Sequence, residues 1–358
     1  MKILFFVPYP LKESPSQRFR FEQYFPLLDS QGTQYKIQSF LTKDNWRIFN
    51  QKGSIAQKGL ALASGFARRF NGLFKAMRYD FIFIHREMSP IGPPVFEWFI
   101  AKILRKKIIY DFDDAIWLTD KQEESTLFRI IKWRSKVKYI CRVSYKISCG
   151  NEYLQKYALL FNPNSIINPT TVDTDHEHNP SLADFSVKRK NITIGWTGSH
   201  STLKYLTEIV PCLQKIQQLY PTAEFLVIAD KRPTLDLKSF NFIFWNKETE
   251  IQDLASIDIG IMPLPDDEWA KGKCGFKAIQ YMSLNIPSLV SNVGVNSTIV
   301  DHNINGFLCE TQDDWFKYLD QLLRNENLRQ VMGKQGRQKI ICHYSVRSNS
   351  SNFLSLFE

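Results

Sequence analysis

The chain has 358 residues, too many for one ordinary hydrophobic core but suited to two domains of about 150–200 residues each. With 44% hydrophobic residues and only 16 Gly and 16 Pro, it is neither intrinsically disordered nor collagen-like. The net charge of +10 comes from the first half: residues 1–180 hold 27 Lys and Arg against 17 Asp and Glu, whereas residues 181–358 hold 19 of each kind.

Short apolar segments alternate with helical patterns along the chain, which predicts an α/β protein. The strand candidates are continuously apolar, as expected when helices cover both faces of a parallel sheet. No run of 18 apolar residues occurs, so no membrane-spanning helix is predicted. The predicted strands are Ile3–Val7, Tyr35–Phe40, Phe81–His85, Lys107–Tyr110, Lys146–Cys149 and Ser165–Ile167 in the first half, and Ile192–Trp196, Glu224–Ala229, Phe242–Trp245, Ile257–Met262, Ile286–Ser291 and Gly306–Cys309 in the second.

The polar segment 176–190 contains Pro180 and lacks periodicity, so it is predicted to link two domains. The predicted fold is two Rossmann-like, doubly wound parallel sheets that face each other across a cleft. The predicted domains are residues 1–175 and 190–340, followed by a helix in 341–358 that returns to the first domain. Ligands of such sheets bind at the carboxyl ends of strands, so the cleft is the expected site.

Two basic stretches lie in the first half, at residues 52–78 and 129–146. Their charges are mixed with apolar residues at roughly helical spacing, which is typical of helices that bind an anionic membrane. The alternative is a solvated helix face that happens to be basic; nucleic acid is not predicted, because no nucleic-acid motif accompanies the charge. The basic residues are Lys52, Lys58, Arg68, Arg69, Lys75 and Arg78, and then Arg129, Lys132, Arg134, Lys136, Lys138, Arg142 and Lys146.

The six cysteines form no CxxC pair, and no His lies at ligand spacing from them. This usage predicts reduced cysteines in a cytosolic protein and no zinc site.

Two glycine-containing motifs in the second half predict an anion site. In Ile194-Gly-Trp-Thr-Gly-Ser199, small residues follow a strand and precede a predicted helix, so backbone N–H groups can approach a phosphate; the alternative is an ordinary turn. In the second motif, Lys273 and Lys277 flank Gly275 and are predicted to share one face at a helix start. Because cations there oppose the helix dipole, the pair predicts a bound anion; the alternative is two solvated lysines.

Basic residues in the first half also suggest a site. Arg18 and Arg20 alternate about Phe19 and are predicted to reach into the cleft toward a phosphate of a bound ligand; the alternative is an exposed basic pair. His85 and Arg86 end a strand and are expected at the same edge, although a lone His is more often structural.

Three carboxylates, Asp111, Asp113 and Asp114, follow the strand predicted at 107–110. Carboxylates in such a position are unfavourable unless they are solvated, paired or functional. Their oxygen atoms would suit Mg²⁺.

Taken in order, these motifs resemble the GT-B glycosyltransferases of the large retaining family 4 type. The resemblance covers nearly the whole chain and implies the GT-B fold, a nucleotide-diphosphate sugar held by the C-terminal domain, an acceptor at the N-terminal domain, and neither a metal nor another cofactor. It is carried by Ser16-Gln-Arg-Phe-Arg-Phe21, Asp111-Phe-Asp-Asp-Ala115, Gly150-Asn-Glu-Tyr-Leu154, Ile194–Ser199, Gly260–Leu264, Lys273-Cys-Gly-Phe-Lys277, Gln280-Tyr-Met282, Ile286–Ser291, Gly294-Val-Asn296 and Asn305-Gly-Phe307.

The resemblance also implies roles for single residues. Lys277, with Lys273 nearby, would stabilise the charge that grows on the leaving diphosphate. Gln280 occupies the position of the second Glu of the family's paired-glutamate motif, which contacts the ribose. The first Glu falls at Gly272, where no side chain is present; the alternatives for its role are backbone N–H groups or one of the carboxylates of Asp266, Asp267 and Glu268. Asp113 or Asp114 would orient the acceptor hydroxyl or a neighbouring base. The remaining donor residues are predicted to be Gly195, Trp196, Gly198, Ser199, Gly275, Trp245 and Asn246.

The sequence therefore predicts a cytoplasmic glycosyltransferase, peripheral on the inner face of the membrane if the basic helices bind lipid. It would transfer a sugar to a hydroxyl of a glycan or lipid-linked acceptor, with retention, in cell-surface polysaccharide or glycolipid synthesis. Two alternatives stay open: a nucleotide-sugar epimerase of GT-B fold and a non-catalytic nucleotide-sugar sensor. A nicotinamide-dependent oxidoreductase is disfavoured, because no GxGxxG follows the first strand.

Overall fold

The computed structural model describes residues 1–50, 54–119, 124–182 and 191–358. They form two compact units. Unit 1 comprises Met1–Thr170, Gly272–Cys274 and Ser350–Glu358, and unit 2 comprises Thr171–Lys271 and Gly275–Asn349. The predicted domain limits stay predictions. Lys52 and residues 183–190 of the predicted linker lie outside the described residues.

Unit 1 is built on a six-stranded parallel sheet with the order β2-β1-β3-β4-β5-β6. The strands next to the centre are buried along their length, because helices cover both faces. The register places His85 beside Asp111 at the carboxyl ends of β3 and β4. The strands are β1 (Lys2–Val7), β2 (Gln34–Ser39), β3 (Phe81–His85), β4 (Lys107–Phe112), β5 (Lys146–Cys149) and β6 (Ser165–Ile167).

The longest helix of unit 1 is α4, whose inner face carries small residues. A Cβ atom on Gly65 would lie 2.4 Å from the Phe40 ring, and one on Gly72 would lie 2.6 Å from Phe6, so glycine permits the close approach to the sheet. The helices are α1 (Pro15–Arg18), α2 (Phe25–Ser30), α3 (Lys43–Asn50), α4 (Ile55–Ala76), α5 (Val95–Trp98), α6 (Thr126–Lys132), α7 (Lys136–Val143) and α8 (Glu152–Leu159), with a 3₁₀ turn at Glu22–Tyr24 and a π turn at Phe99–Ile103.

Unit 2 repeats this architecture with a parallel sheet in the order β12-β11-β10-β7-β8-β9. Its strands are β7 (Thr193–Gly198), β8 (Glu224–Ala229), β9 (Asn241–Phe244), β10 (Ile259–Met262), β11 (Ser288–Ser291) and β12 (Gly306–Cys309). Its helices are α9 (Leu203–Leu206), α10 (Val210–Leu219), α11 (Glu250–Leu254), α12 (Glu268–Lys271), α13 (Phe276–Ser283), α14 (Asn296–Ile299), α15 (Gln312–Arg324) and α16 (Glu326–His343), with 3₁₀ turns at Pro180–Leu182, His200–Thr202 and Thr207–Ile209.

The prediction of two doubly wound parallel sheets is confirmed, and all twelve predicted strands are present. Strand β4 runs two residues beyond the predicted Tyr110, so Asp111 lies within the sheet and not after it. The segment predicted as the last helix, 341–358, contains the end of α16 and a separate helix, α17 (Ser350–Leu354), with a 3₁₀ turn at Ser355–Phe357. No helix in the described ranges is long and apolar enough to cross a bilayer.

The C-terminal segment supplies part of the core of unit 1. Phe353 stacks on Tyr24 with ring centroids 4.2 Å apart, and the Phe357 ring meets Phe81 edge-on at 5.7 Å. The Tyr145 hydroxyl donates a hydrogen bond to the carbonyl of Glu358 at 2.6 Å. These aromatic contacts attach the end of the chain to the sheet of unit 1.

Replacing Phe353 by Ala should therefore lower the free energy of unfolding by about 3–5 kcal/mol, because it removes a fully buried ring and leaves a cavity. Urea unfolding monitored by tryptophan fluorescence measures the change, with Ser351→Ala at an exposed position as the control. A loss below about 1 kcal/mol would show that α17 contributes little to the stability of unit 1.

Candidate functional site

In unit 1 a buried ion pair lies at the carboxyl ends of the central strands. Asp111 is fully buried, and its carboxylate accepts hydrogen bonds from Arg20, from Ser148 at 2.6 Å and from His85 Nδ1 at 2.7 Å. Burial alone would raise the pKa of Asp111, but the Arg20 guanidinium and the His85 hydrogen bond outweigh it and hold that pKa well below its usual range. Asp111 is therefore an ionised internal anchor.

Arg20 was predicted to reach a phosphate, but its guanidinium points into the protein. Its guanidinium donates to Asp111, to Ser148 at 3.1 Å and to the carbonyl of Asn168, so protein groups occupy the donors that were expected to reach a phosphate. The alternative of an exposed pair is also wrong, because Arg20 is 1% exposed and Arg18 is buried against the Phe19 ring.

His85 is fully buried and connects the ion pair to helix α1, which follows β1. With Nδ1 at the Asp111 carboxylate, Nε2 lies 3.4 Å from the hydroxyl oxygen of Ser16. An ionised Asp111 favours the tautomer with a proton on Nδ1, which leaves Nε2 as an acceptor for the Ser16 hydroxyl. His85 can thus fix the direction in which the oxygen of Ser16, a partly exposed residue, presents its lone pairs.

A second group of charges, here called the rim cluster, consists of Arg86, Asp113, Asp114 and Lys273. Arg86 donates to Asp113 at 2.9 Å and to Asp114 at 2.6 Å, and the Lys273 ammonium lies 2.9 Å from Asp114. Burial would raise the pKa of Asp114, but Lys273 and Arg86 lower it. Arg86 has a φ of 60°, a left-handed backbone conformation that residues other than Gly rarely adopt and that is often retained at functional sites.

The spacing predicted that Lys273 and Lys277 share one face of a helix, and this is wrong because Lys273 precedes the helix. The segment Gly272–Cys274 belongs to unit 1, and helix α13 begins only at Phe276. Asn151 donates to the carbonyl of Lys273 at 2.9 Å, and the Cys274 thiol lies 3.1 Å from the carbonyl of Asp113. Lys273 is thus held beside the carboxylates of the rim cluster.

In unit 2, the side chain of Lys277 crosses the end of β7. Its ammonium lies 5.3 Å from the centre of the Trp196 ring, within the range of a cation–π contact. A Cβ atom on Gly198 would lie 2.8 Å from Lys277 Cε, so glycine at this position leaves room for the lysine. The loop after β7 and the first turn of α13 are therefore adjacent.

The glycine motif at the end of β7 differs from its prediction in where the turn begins and in the helix that follows. Gly195 and Trp196 are buried inside β7, where Gly195 packs against Ile257, and the turn starts only at Ser199. That turn leads into a 3₁₀ turn and then helix α9, which has only four residues and is shorter than the helix start that the motif predicted. Gly275 is the N-cap of α13 with a φ of 65°, and a Cβ atom on it would lie 2.1 Å from Ile299.

Sequence reasoning missed one buried carboxylate in unit 2, that of Glu250. Its Oε1 accepts hydrogen bonds from the Trp245 indole at 3.1 Å and from the Gln280 amide at 3.3 Å. Two predicted donor residues thus converge on Glu250, the first residue of α11, which is 5% exposed. Asn246, predicted beside them, is exposed, and its side chain accepts from the backbone N–H of Glu248 at 3.0 Å.

Within the described residues, no group of three or more His, Cys, Asp and Glu side chains is placed to hold a metal ion. The expectation that the protein works without a metal stays a prediction.

Comparison with known proteins identifies the kind of enzyme. Residues 234–339 match the sequence model of the family described as "Glycosyl transferases group 1". The matched segment includes α13 with Lys277 and Gln280, and Glu250. A search of curated proteins gives no match. The family match identifies the chain as a glycosyltransferase.

Solved structures of similar shape establish the fold. Sucrose-phosphate synthase from Thermosynechococcus elongatus superposes with a TM-score of 0.72 at 12% identity, over 99% of this chain and 98% of that chain. A glycosyltransferase from Rickettsia africae gives 0.69 at 14% identity, over 99% and 97% of the two chains. Anabaena HepE, solved with UDP-glucose, gives 0.67 at 14% identity, over 99% of each chain. The chain therefore has the predicted GT-B fold.

Asp111→Asn should destabilise the protein by roughly 3–5 kcal/mol at pH 7, because it leaves Arg20 as an uncompensated buried charge. Because the folded pKa of Asp111 is depressed, the wild-type stabilisation is complete above the unfolded pKa of about 4 and declines as the pH falls further. The difference between variant and wild type should therefore shrink in acid.

Urea unfolding at several pH values measures this, with Asp44→Asn, an exposed carboxylate on α3, as the control. A difference that stays constant down to the most acidic stable pH would contradict the depressed pKa.

Proposed function

We propose that the protein transfers a sugar from a nucleotide-diphosphate donor to a hydroxyl group of a glycan or lipid-linked acceptor. The observation that carries the proposal is Lys277, which lies across Gly198 at the end of β7 and in the first turn of α13. A cation beside a glycine and the backbone N–H groups of a helix start provides what a pyrophosphate requires. The presence of UDP-glucose in the HepE structure supports the same donor class.

Lys277 would act on the leaving group. As the bond between the sugar C1 and the phosphate oxygen breaks, the diphosphate gains negative charge, which the ammonium stabilises. The helix start adds the partial positive charge of its N–H groups; because α9 is short, we assign this contribution to α13 and only backbone contacts to Ser199.

Glu250 would replace the carboxylate that the family pattern has at position 280. The Gln280 amide is held by Glu250, so a negative charge lies beside the position that contacts the ribose in the resembling enzymes. A buried carboxylate accepts hydrogen bonds from ribose hydroxyls more strongly than an amide does. Trp245, on the same carboxylate, would fix its orientation.

The acceptor would bind at the rim cluster of unit 1. Arg86 and Lys273 hold Asp113 and Asp114 in fixed positions, so Asp113 can accept a hydrogen bond from the acceptor hydroxyl. Lys273 then acts on the acceptor side, which changes its predicted diphosphate role. Ser16, oriented by His85, can bind a further hydroxyl of a substrate.

The proposed mechanism retains the anomeric configuration. The acceptor oxygen attacks C1 from the face that the diphosphate leaves, the new C1–O bond forms, and the acceptor proton passes to the departing diphosphate. Since the carboxylates of the rim cluster are held by cations, neither is assigned as a covalent nucleophile. The same pairing supports transfer without a bound metal, because Arg86 and Lys273 occupy oxygens that a metal would need.

The location and pathway follow from the acceptor. We propose that the protein works at the inner face of the cytoplasmic membrane, in the synthesis of a cell-surface polysaccharide or glycolipid. The excess of basic residues in the first half of the chain supports this, since the lipids that carry such acceptors lie in an anionic membrane.

Lys277→Ala should lower kcat by about 10²–10³, as found when a group that stabilises transition-state charge is removed. Because a ligand of the native state raises the melting temperature, a thermal-shift screen of nucleotide sugars first identifies the donor. Transfer is then measured with that donor in EDTA, and Lys334→Ala, an exposed lysine on α16, is the control.

Turnover of the Lys277 variant near the wild-type rate would contradict the leaving-group role. Conversion of the donor to an epimer without any acceptor would show that the protein is an epimerase and not a transferase. Binding without turnover of any kind would indicate a sensor.

Glu250→Gln should raise the KM for the donor by about ten- to a hundredfold with a smaller change in kcat, because it removes a charged hydrogen-bond acceptor. The double variant Glu250→Gln/Gln280→Glu moves the carboxylate from position 250 to position 280 and should recover donor affinity. Steady-state kinetics of both variants test this. If the double variant binds the donor no better than the single one, the carboxylate does not contact the donor.

A further inference from the structure

Three neighbouring helices of unit 1 expose a large set of apolar side chains, here called the α4–α6 surface. Each of its members is between 40% and 72% exposed. Scattered apolar residues are normal on a protein surface, but a contiguous patch marks an interaction site. The members are Leu60, Phe70, Phe74 and Met77 on or just after α4, Val95, Trp98 and Ile103 on or near α5, and Leu127, Phe128, Ile130, Ile131 and Trp133 on or just after α6.

Direct contacts connect the three parts of this surface. The Phe70 ring of α4 meets the Phe96 ring of α5 at 5.2 Å, and the backbone N–H of Gly92, just before α5, donates to Ile131 of α6 at 2.8 Å. A groove of about 440 Å³ joins α5 to the start of α7. Its lining includes Pro93, Trp98, Trp133, Lys138 and Tyr139.

All the apolar side chains of helix α6 lie on this surface. None of its seven residues is buried, although four of them are Leu, Phe or Ile. The Ser125 side chain caps its N-terminus by accepting a hydrogen bond from the backbone N–H of Phe128, and Trp133 ends it in a left-handed conformation. Helices of this length gain their stability from packing an apolar face, and α6 has no such face within the core of unit 1.

Exposed cations accompany the apolar residues. The sequence has no Asp or Glu in residues 54–79 or 125–149, and Glu97 on α5 is buried. The exposed basic residues are Lys75, Arg78, Lys102, Arg105, Arg129, Lys138 and Arg142.

Other basic residues of the two predicted stretches bind protein groups instead. Arg69 is fully buried and donates to the carbonyls of Val7, Gln38 and Met88, and Arg68 donates to the carbonyl of Ser39. Lys132 and Lys136 pair with Glu87, and Arg134 pairs with Glu124. The prediction that both stretches present their charges as one basic face is therefore wrong for these residues.

We infer that the α4–α6 surface docks on an anionic lipid bilayer, with its apolar side chains in the interface and its exposed cations at the headgroups. Charge selects this occupant: a second copy of the same surface would bring cations against cations, whereas anionic headgroups complement them. Trp98 and Trp133 are typical of side chains at the membrane–water boundary, where one end is apolar and the other wet. The inference rests on the membrane location proposed above and names the surface that would provide it. Its test needs no enzymatic activity, so a failure of docking can be distinguished from a failure of the proposed sugar transfer.

The test is co-sedimentation of the full chain with phosphatidylcholine vesicles, either pure or containing one third phosphatidylglycerol. The wild type should bind the anionic vesicles at least tenfold more strongly, and the binding should weaken as salt is raised. Lys75→Gln/Lys102→Gln/Arg129→Gln/Lys138→Gln should lose about fivefold for each neutralised charge. Phe70→Ser/Phe74→Ser/Trp98→Ser should lose binding to both kinds of vesicle.

The matched control is Leu219→Ser/Phe244→Ser/Val331→Ser, which removes exposed apolar side chains from unit 2 and should bind as the wild type does. All positions are exposed, and circular dichroism with a melting curve verifies that each variant is folded. Equal binding of wild type and apolar variant would overturn the inference. Absence of wild-type binding to anionic vesicles would also overturn it. If, in addition, sedimentation shows a dimeric wild type and a monomeric apolar variant, the α4–α6 surface is an interface between two copies of the chain.

Discussion

One buried carboxylate organises the N-terminal sheet at its carboxyl end. Asp111 on β4 holds Arg20 from the turn after α1, His85 from β3 and Ser148 from β5. Arg20 extends the network to the carbonyl of Asn168, after β6. A buried charge is tolerated only where its hydrogen bonds are satisfied. Displacement of any one of these elements would therefore leave a buried charge without a partner. The position of Arg86, one residue after His85, depends on the same network.

The C-terminal unit reaches a comparable arrangement through small residues. Gly195 lets β7 pack on Ile257, Gly198 makes room for Lys277, and Gly275 lets α13 begin next to Ile299. Each glycine brings a backbone or a cation closer than a side chain would allow. Unit 1 thus positions its functional groups by charge pairing, and unit 2 positions them by close approach.

The sequence predicted the parts of the fold that depend on local pattern. The strands are continuous apolar segments bounded by polar residues, and all twelve are present. Pairings between distant residues have no local signal: Arg20 and Asp111 are 91 positions apart, and Lys273 and Asp114 are 159 apart. Glu250 was missed because a single Glu at the start of a short helix belongs to no motif. The inward direction of Arg69 did have a signal, since Ala61, Gly65, Gly72 and Ala76 mark the same face of α4.

The three hydrogen bonds of Arg69 all end on backbone carbonyls, at Val7, Gln38 and Met88. Burial lowers the pKa of this guanidinium to about 9, so it stays charged under physiological conditions. Carbonyl oxygens are present whatever side chain a residue carries. The carboxyl ends of β1 and β2 and the segment after β3 can therefore exchange their side chains during evolution while a single arginine continues to bind their backbone.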